Sequence, residues 1–184
     1  MRLFVAVTPT PESLAEARAV VEPLSPSWPQ LRWTPFEQWH LTLAFLGEVG
    51  ERELGDLTDR LARVATRHAP LALQLAGAGR FGSRVLWLGV RGDTTGLRRL
   101  AESVRAAARR SRIEVEDRPY RPHLTLARVR DPRVDLRSAV AALAEFTGRT
   151  WTADRLQLIR SHLGKGPGGT ARHELLLSWP LGGG

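Results

Sequence analysis

A five-residue segment that contains both a histidine and a threonine occurs twice in the chain, as HLTLA at His40–Ala44 and again at His123–Ala127. A leucine-rich chain can repeat a pair of leucines by chance, but an identical pentapeptide with His and Thr indicates an internal repeat. Both copies read as strands, in which alternate side chains share a face and lie ~6.6 Å apart. In the first strand, His40, Thr42 and Ala44 are therefore predicted on one face and the leucines, with Phe45, on the other.

The residue types in each copy suit the chemistry of a phosphate ester. An imidazole has an ordinary pKa of ~6.5, so it can hold or release a proton near neutral pH. If the two strands lie side by side, one histidine can act as a base and the other as an acid, while threonine hydroxyls donate to phosphate oxygens. His40, Thr42, His123 and Thr125 therefore predict a site that hydrolyses a phosphodiester without a metal or any other cofactor.

Other interpretations of the repeat have to be weighed against this one. Two core strands with satisfied histidines would explain a single copy better than a pair. A metal site would need further histidines or carboxylates at ligand spacing, and none flank either copy. The glycines at 77–79 and 164–169 are typical of turns and loops rather than of a phosphate-binding fingerprint. A noncatalytic nucleotide- or RNA-binding module stays open, although both histidines and both threonines are intact.

The composition narrows the class of protein. The 184 residues are 42% hydrophobic and 25% charged, which is typical of one folded domain. Cysteine is absent, which excludes disulfide scaffolds, thiolate zinc sites and cysteine nucleophiles. Lys and Arg number 27 against 19 Asp and Glu, a net charge of +8 that favours an anionic partner. No apolar run reaches the ~18 residues of a membrane helix, and the apolar start is too short for a signal peptide, so we expect a cytoplasmic protein that binds no membrane.

Helical and strand patterns alternate irregularly along the chain. Helices are predicted over 11–22, after a Thr10 cap and Pro11, over 51–68, after a cap at Asp93 or Thr94, and around 136–143. Strands are predicted over 3–7, 31–34, 39–47, 71–75, 84–90, 122–129, 156–163 and 174–179, with a turn region at 77–82 and a glycine-rich loop at 164–169. This mixture favours an α+β fold with mainly antiparallel sheets.

The two His-x-Thr-x motifs resemble those of the 2H phosphoesterase superfamily, in particular its RNA 2′,3′-cyclic phosphodiesterases, also called 2′-5′ RNA ligases. The similarity covers essentially the whole chain and includes, besides the motifs, Arg2–Ala6, Phe45–Glu48, Val85–Gly89, Arg121–Pro122, Ala127–Val129 and Trp179–Leu181. The resemblance implies one domain over 1–184 with two pseudo-symmetric lobes. Each lobe would be a mainly antiparallel sheet with flanking helices, and the active-site cleft would lie between them.

The resemblance also implies a role for each motif residue. His40 would protonate the departing 2′- or 3′-oxygen, His123 would activate water, and Thr42 and Thr125 would hold the phosphate oxygens. Arg128 is a further candidate for phosphate binding. By strict alternation it falls on the face opposite Thr125, so a β-bulge has to redirect it if it reaches the ligand.

The activity implied by the resemblance is the opening of 2′,3′-cyclic phosphates to 2′-phosphomonoesters. The substrates would be RNA ends, including those of tRNA fragments, or cyclic nucleotides. A weak reverse activity would join such an end to a 5′-hydroxyl by a 2′-5′ bond without ATP. We expect the protein to act as a monomer.

The remaining aromatic residues and histidines are given less specific roles. Candidates for stacking on a base are Phe45, Phe81 and Tyr120. Trp87 and Trp179 lie in apolar segments and are predicted to be in the core. His68 ends a helix and is interpreted as structural, whereas His162 and His173 lie near the glycine-rich loop and are interpreted as surface residues.

Overall fold

Nine strands and four α-helices make up residues 1–183, the part of the chain that the computed structural model describes. The helices are α1 (Pro11–Val21), α2 (Glu51–Arg67), α3 (Thr94–Arg110) and α4 (Arg137–Leu143). The strands are β1 (Arg2–Val7), β2 (Arg32–Trp33), β3 (Leu41–Glu48), β4 (Leu71–Phe81), β5 (Val85–Gly92), β6 (His123–Arg128), β7 (Thr147–Ala153), β8 (Arg155–His162) and β9 (Arg172–Pro180). Short 3₁₀ turns connect several of these elements.

The strands form two antiparallel sheets with related orders. One sheet has the order β3-β1-β8-β9 and the other β2-β6-β5-β4-β7. Starting from its motif strand, β3 or β6, each sheet continues through three more strands, and the second sheet adds the short β2 at its edge. All strand pairs are antiparallel. The predicted α+β fold with two pseudo-symmetric lobes is confirmed; that the whole of 1–184 is a single domain stays a prediction.

The helices begin where their capping residues predict. At the start of α1 the Thr10 hydroxyl accepts from the backbone N–H of Ser13 at 3.3 Å, and Pro11 occupies the first turn. At the start of α3 the Asp93 carboxylate accepts from the N–H of Gly96 at 2.8 Å. The predicted helices are confirmed to within about two residues at their ends, the usual uncertainty of helix boundaries.

The turn predicted at residues 77–82 is wrong, because β4 continues to Phe81. Gly77 has a φ of +70° and lies in a register shift of the β4–β5 pair, so it forms a bulge within the strand. At Gly79 the strand passes close to the ring of Trp87, and a Cβ there would collide with it. Gly77 therefore permits a bulge, and Gly79 permits close packing against Trp87, within one long strand.

One strand was not predicted from the sequence at all. β7 has few aliphatic residues, and only Gly148, Trp151 and Ala153 are buried along it. It pairs with β4 at the edge of the second sheet. Its threonines at 147, 150 and 152 are β-branched and alternate with buried positions over part of the strand, which is the signal that could have revealed it.

The core lies between the sheets and the helices. A continuous cluster of buried residues joins both motif strands, β1, β4, β5 and β8 to the inner faces of the four helices. On the other face of the first sheet, Phe4, Ala6 and Ile159 form a small separate cluster. Among the described residues, no helix combines the length and the apolar character needed to cross a membrane.

Candidate active site

The two copies of the repeat meet in one cleft. β3 and β6 contact each other across the two sheets, and the cleft between the lobes has a volume of about 590 Å³. All four motif residues that were predicted to act together line it, namely His40, Thr42, His123 and Thr125. The structure therefore brings two imidazoles and two hydroxyls to a single concave site.

Both motif histidines are oriented by the same hydrogen bond. The Nδ1 of His40 lies 2.6 Å from the carbonyl oxygen of Gln38, and the Nδ1 of His123 lies 2.7 Å from that of Arg121. Because a carbonyl oxygen only accepts, each Nδ1 carries a proton and donates it, which leaves each Nε2 to exchange protons with a ligand. In the first copy the Nε2 of His40 also lies 2.9 Å from the Thr42 hydroxyl, which donates to the neutral ring.

Each motif strand contains a bulge at the same position of its repeat. In β3, Leu43 is the extra residue between Thr42 and Ala44, which face Ala6 and Val5 of β1. In β6, the extra residue is Leu126, between Thr125 and Ala127. The strict alternation predicted for these strands is therefore wrong beyond the threonines, because the bulge adds one residue to one strand only.

The bulges change which side chains reach the cleft. Ala44, predicted beside Thr42, is buried in the core, whereas Phe45, predicted on the opposite face, is 58% exposed and lines the cleft. Arg128 also lines the cleft, because the bulge at Leu126 places it on the same face of the strand as Thr125. The expected bulge before Arg128 is therefore present in the strand. Phosphate binding by Arg128 stays a prediction.

His40 is surrounded by other rings. The ring of Phe4 stacks on it with the centroids 4.8 Å apart, and the ring of His173 meets it edge-on at 5.4 Å. Burial, opposed by the hydrogen bond to Gln38 and reinforced by the positive charges of His173, His123 and Arg128, lowers the pKa of His40 to about 4. In the ligand-free protein His40 is therefore neutral at pH 7.

His123 has a different set of neighbours. Its ring meets that of Phe81 edge-on at 4.7 Å and lies 6.2 Å from that of Trp87. Burial lowers the pKa of His123 and the charge of Arg128 lowers it further, while the bond to the Arg121 carbonyl opposes both effects. The interpretation of Trp87 as a core residue is wrong: it is half-buried beside His123, because its strand position faces Thr125.

His173 is the functional candidate that the sequence analysis missed. It was interpreted as a surface residue, but it lines the cleft and its ring lies 5.0 Å from Phe4 and 5.4 Å from His40. The strand order places it there, since β9 belongs to the same sheet as β1 and β3. No local signal marks it, because His173 lies in no repeat and follows a loop.

The other two histidines lie away from the motif pair. The ring of His68 bonds to the hydroxyl of Ser103 at 2.9 Å and so links α2 to α3, in keeping with its structural interpretation. The Nε2 of His162 lies at hydrogen-bond distance, 2.6 Å, from the Glu174 carboxylate on the protein surface.

The three aromatic residues proposed for base stacking lie around the active site. Phe45 lines the cleft, Phe81 packs against His123, and the Tyr120 hydroxyl donates to the carbonyl of Thr42 at 2.9 Å. Burial raises the pKa of Tyr120, so this hydroxyl keeps its proton. Tyr120 thus ties the chain before β6 to the first motif strand. Stacking on a base stays a prediction for all three.

No group of three or more His, Asp or Glu side chains in residues 1–183 is arranged to hold a metal ion. The basic side chains that line the cleft are arginines at 2, 32 and 128. Arginine presents a planar fork of donors that matches phosphate oxygens. The site therefore combines two motif imidazoles with hydroxyl and guanidinium donors of the kind that suit an anion.

Comparison with protein families assigns the chain to one of them. Residues 10–165 match the model of the 2′-5′ RNA ligase superfamily, which is most of the chain. The chain belongs to this superfamily. The predicted family is thereby confirmed, and the motif residues at 40, 42, 123 and 125 all lie inside the matched range.

Two curated relatives are named as RNA 2′,3′-cyclic phosphodiesterases, the class of enzyme that the sequence predicts. An RNA 2′,3′-cyclic phosphodiesterase of Thermus thermophilus is 36% identical over 180 residues, with 91% of this chain and 85% of the relative covered. An RNA 2′,3′-cyclic phosphodiesterase of Geobacillus stearothermophilus is 29% identical over 182 residues, which cover 97% of this chain. The chain spans only 56% of the length of the Geobacillus relative.

The fold is also found among solved structures. A crystal structure of Escherichia coli LigT complexed with 3′-AMP matches with a TM-score of 0.79 at 29% identity, covering 98% of this chain and 97% of that one. This relative thus shares the fold of the present chain over nearly the whole length of both. The 3′-AMP shows that this relative binds a nucleotide with a phosphate on its ribose.

Proposed function

We propose that this protein is an RNA 2′,3′-cyclic phosphodiesterase that opens the cyclic phosphate to a 2′-phosphomonoester. The observation that carries the proposal is the meeting of both His-x-Thr motifs in one cleft, with each histidine held by a carbonyl through its Nδ1. The names of the curated relatives support the same substrate.

The two imidazoles divide the reaction between them. Water attacks phosphorus and gives its proton to Nε2 of His123. The bond from phosphorus to the 3′-oxygen breaks, and this oxygen takes a proton from Nε2 of His40. The phosphate then remains on the 2′-oxygen. Thr42, Thr125 and Arg128 donate hydrogen bonds to the nonbridging oxygens, whose charge grows during attack.

The acid role of His40 requires the ligand to change its protonation. The pKa of His40 is about 4 without ligand, because the ring is buried beside positive groups. A bound phosphate places a negative charge next to the ring and raises its pKa, since an opposite charge favours the protonated form. Binding of the cyclic phosphate and uptake of a proton by His40 are therefore coupled.

The same residues can serve 2′-5′ ligation. A 5′-hydroxyl takes the place of water as the nucleophile, with His123 again removing its proton and His40 protonating the departing 3′-oxygen. The product is a 2′-5′ phosphodiester. The strained cyclic ester supplies the driving force, so no ATP is consumed.

The test is an assay of 2′,3′-cyclic CMP opening with and without EDTA. We expect turnover to a 2′-phosphate product, unchanged by the chelator, because the described residues form no metal site. Circular dichroism recorded in parallel checks that the chelator does not unfold the protein. Tight binding without turnover would indicate a noncatalytic nucleotide-binding module, and a rate restored by a divalent ion would contradict the two-histidine mechanism.

A further inference from the structure

A second cavity adjoins the active-site cleft. It has a volume of about 510 Å³, within the range of small-molecule sites. Thr42, Phe45, Glu116 and His123 line both spaces, so the two are continuous across the active site. His40, in contrast, lines the first cleft and not the second cavity. The second cavity therefore opens beside His123, the histidine on the side of the nucleophile.

The position of this cavity has a mechanistic meaning. In a displacement at phosphorus, the attacking and leaving oxygens lie roughly in line on opposite sides of the phosphorus atom. The proposed acid, His40, marks the side of the departing ribose oxygen, and the proposed base, His123, marks the side of attack. A nucleophile larger than water has to arrive through the space beside His123.

We propose that the second cavity is the binding site for the 5′-hydroxyl strand in 2′-5′ ligation, a role that rests on the proposed function. In this step the 5′-oxygen forms a bond to phosphorus and its proton passes to Nε2 of His123. The bond from phosphorus to the 3′-oxygen breaks, and His40 protonates that oxygen. Every atom of the two strands is retained, so the step needs no further reactant.

The charges around the cavity suit a nucleic acid strand. Its charged lining consists of one glutamate, Glu116, and four arginines, at positions 80, 105, 118 and 121. Two of the arginines are engaged: Arg105 donates to the carbonyl of Arg118 at 2.7 Å, and Arg118 pairs with Glu116 at 2.6 Å.

The other two arginines can reach a phosphate. Arg80 is exposed, and its one bond is from Nη1 to the carbonyl of Gly82 at 2.7 Å. For Arg121, which is also exposed, no carboxylate of residues 1–183 lies within ion-pair distance. Arg80 and Arg121 are thus the side chains that would hold the first phosphate after the 5′-nucleoside.

The walls of the cavity suit a nucleobase. Phe45 comes from the first motif strand, and Phe81 ends β4. Tyr120 forms part of the same lining, and its hydroxyl donates to the Thr42 carbonyl at 2.9 Å. This bond fixes the chain before β6 against β3 before any ligand arrives. A base can therefore stack on aromatic rings that are already in place.

The first experiment asks where a nonreactive acceptor binds. A 5′-deoxy dinucleotide has the base and phosphate of an acceptor but cannot attack. Added to the opening of 2′,3′-cyclic CMP, it should inhibit noncompetitively, because it fills the space beside His123 while the cyclic phosphate occupies the first cleft. Competitive inhibition, or none at millimolar concentration, would overturn the proposal.

The second experiment removes one arginine from the cavity. In Arg80→Ala the inhibition constant of the 5′-deoxy dinucleotide should rise about tenfold, as expected for one lost charge-assisted hydrogen bond. With a 5′-hydroxyl oligonucleotide, the ratio of ligated to hydrolysed donor should fall by a similar factor. The matched control is Arg52→Ala, which removes the same charge from an exposed position of α2 that lines neither space.

The outcomes separate this inference from the proposed function. If wild-type protein does not open cyclic phosphates, the proposed function fails. If it does so, but Arg80→Ala and Arg52→Ala show the same inhibition constant and the same ratio of ligation to hydrolysis, only the acceptor site fails.

Discussion

The first motif copy, at His40–Ala44, lies at the edge of one sheet, and the second, at His123–Ala127, lies one strand in from the edge of the other. Their backbones are nevertheless alike. In both, the Nδ1 of the histidine donates to the carbonyl two residues earlier, and a bulge follows the threonine. The repeated backbone thus gives both histidines the same tautomer, and both line the same cleft.

The surroundings of the two copies differ. His40 packs against Phe4 and His173, and its pKa falls to about 4, whereas His123 packs against Phe81. After the bulge, the first copy presents Phe45 to the cleft and the second presents Arg128. A duplicated strand therefore supplies the geometry, while the neighbours of His40 favour its neutral form in the free protein. The proton affinity that the proposed acid role requires has to come from the bound phosphate.

The largest expected effect comes from removing either histidine. His40→Ala and His123→Ala should each lower kcat by about 10²–10⁴-fold, because each deletes a general acid or base. The double variant should lose less than the product of the two, since the residues act as a unit. Steady-state kinetics on 2′,3′-cyclic CMP measures all three. A near-normal kcat in either single variant would show that the two copies are not both catalytic.

The second prediction uses the unequal pKa values. The active form of the free enzyme has His40 protonated and His123 neutral, and burial lowers the pKa of both. Above the higher of these two pKa values, which lies below the ordinary ~6.5 of an imidazole, kcat/KM should therefore fall about tenfold per pH unit, as the protonated fraction of His40 falls. The kcat of the complex should hold to higher pH, because bound phosphate raises the pKa of His40. Coincident profiles of kcat and kcat/KM would contradict this coupling.

The third prediction compares the residues that follow the two bulges. Arg128→Ala should raise KM about tenfold, because a guanidinium bonded to an anion is lost. Phe45→Ala removes the pseudo-symmetric side chain without changing charge and should have a smaller effect on a mononucleotide substrate. Measuring KM for both variants with 2′,3′-cyclic CMP tests the difference. Equal KM values would mean that the cleft does not distinguish the two positions.

The smallest effect is expected at His173. When it is protonated, its charge lowers the pKa of His40. His173→Phe keeps an aromatic ring beside Phe4 and removes that charge, so the pKa of His40 should rise. Titration of the His40 ring followed by NMR measures the shift, and kcat should change little. An unchanged pKa would mean that burial, and not the charge of His173, makes the pKa of His40 differ from that of His123.

Much of the site could be read from local sequence. The repeat identified His40, Thr42, His123 and Thr125, because an exact pentapeptide is visible without any knowledge of the fold. The caps at Thr10 and Asp93 placed two helix starts, since capping depends on residues only three positions apart. The family, too, followed from motifs whose order and spacing are written in the chain.

What escaped the sequence depends on pairing between distant strands. A bulge at Leu43 exists only relative to the register of β1, so alternation alone placed Ala44 and Phe45 on the wrong faces. His173 reaches His40 because the sheet order is β3-β1-β8-β9, and Trp87 reaches His123 because β5 pairs with β6. The sequence by itself determined which groups are the candidates for the chemistry, and the tertiary structure decided their neighbours and hence their proton affinities. The physical reason is that residue type is local, whereas burial and register are set by partners far along the chain.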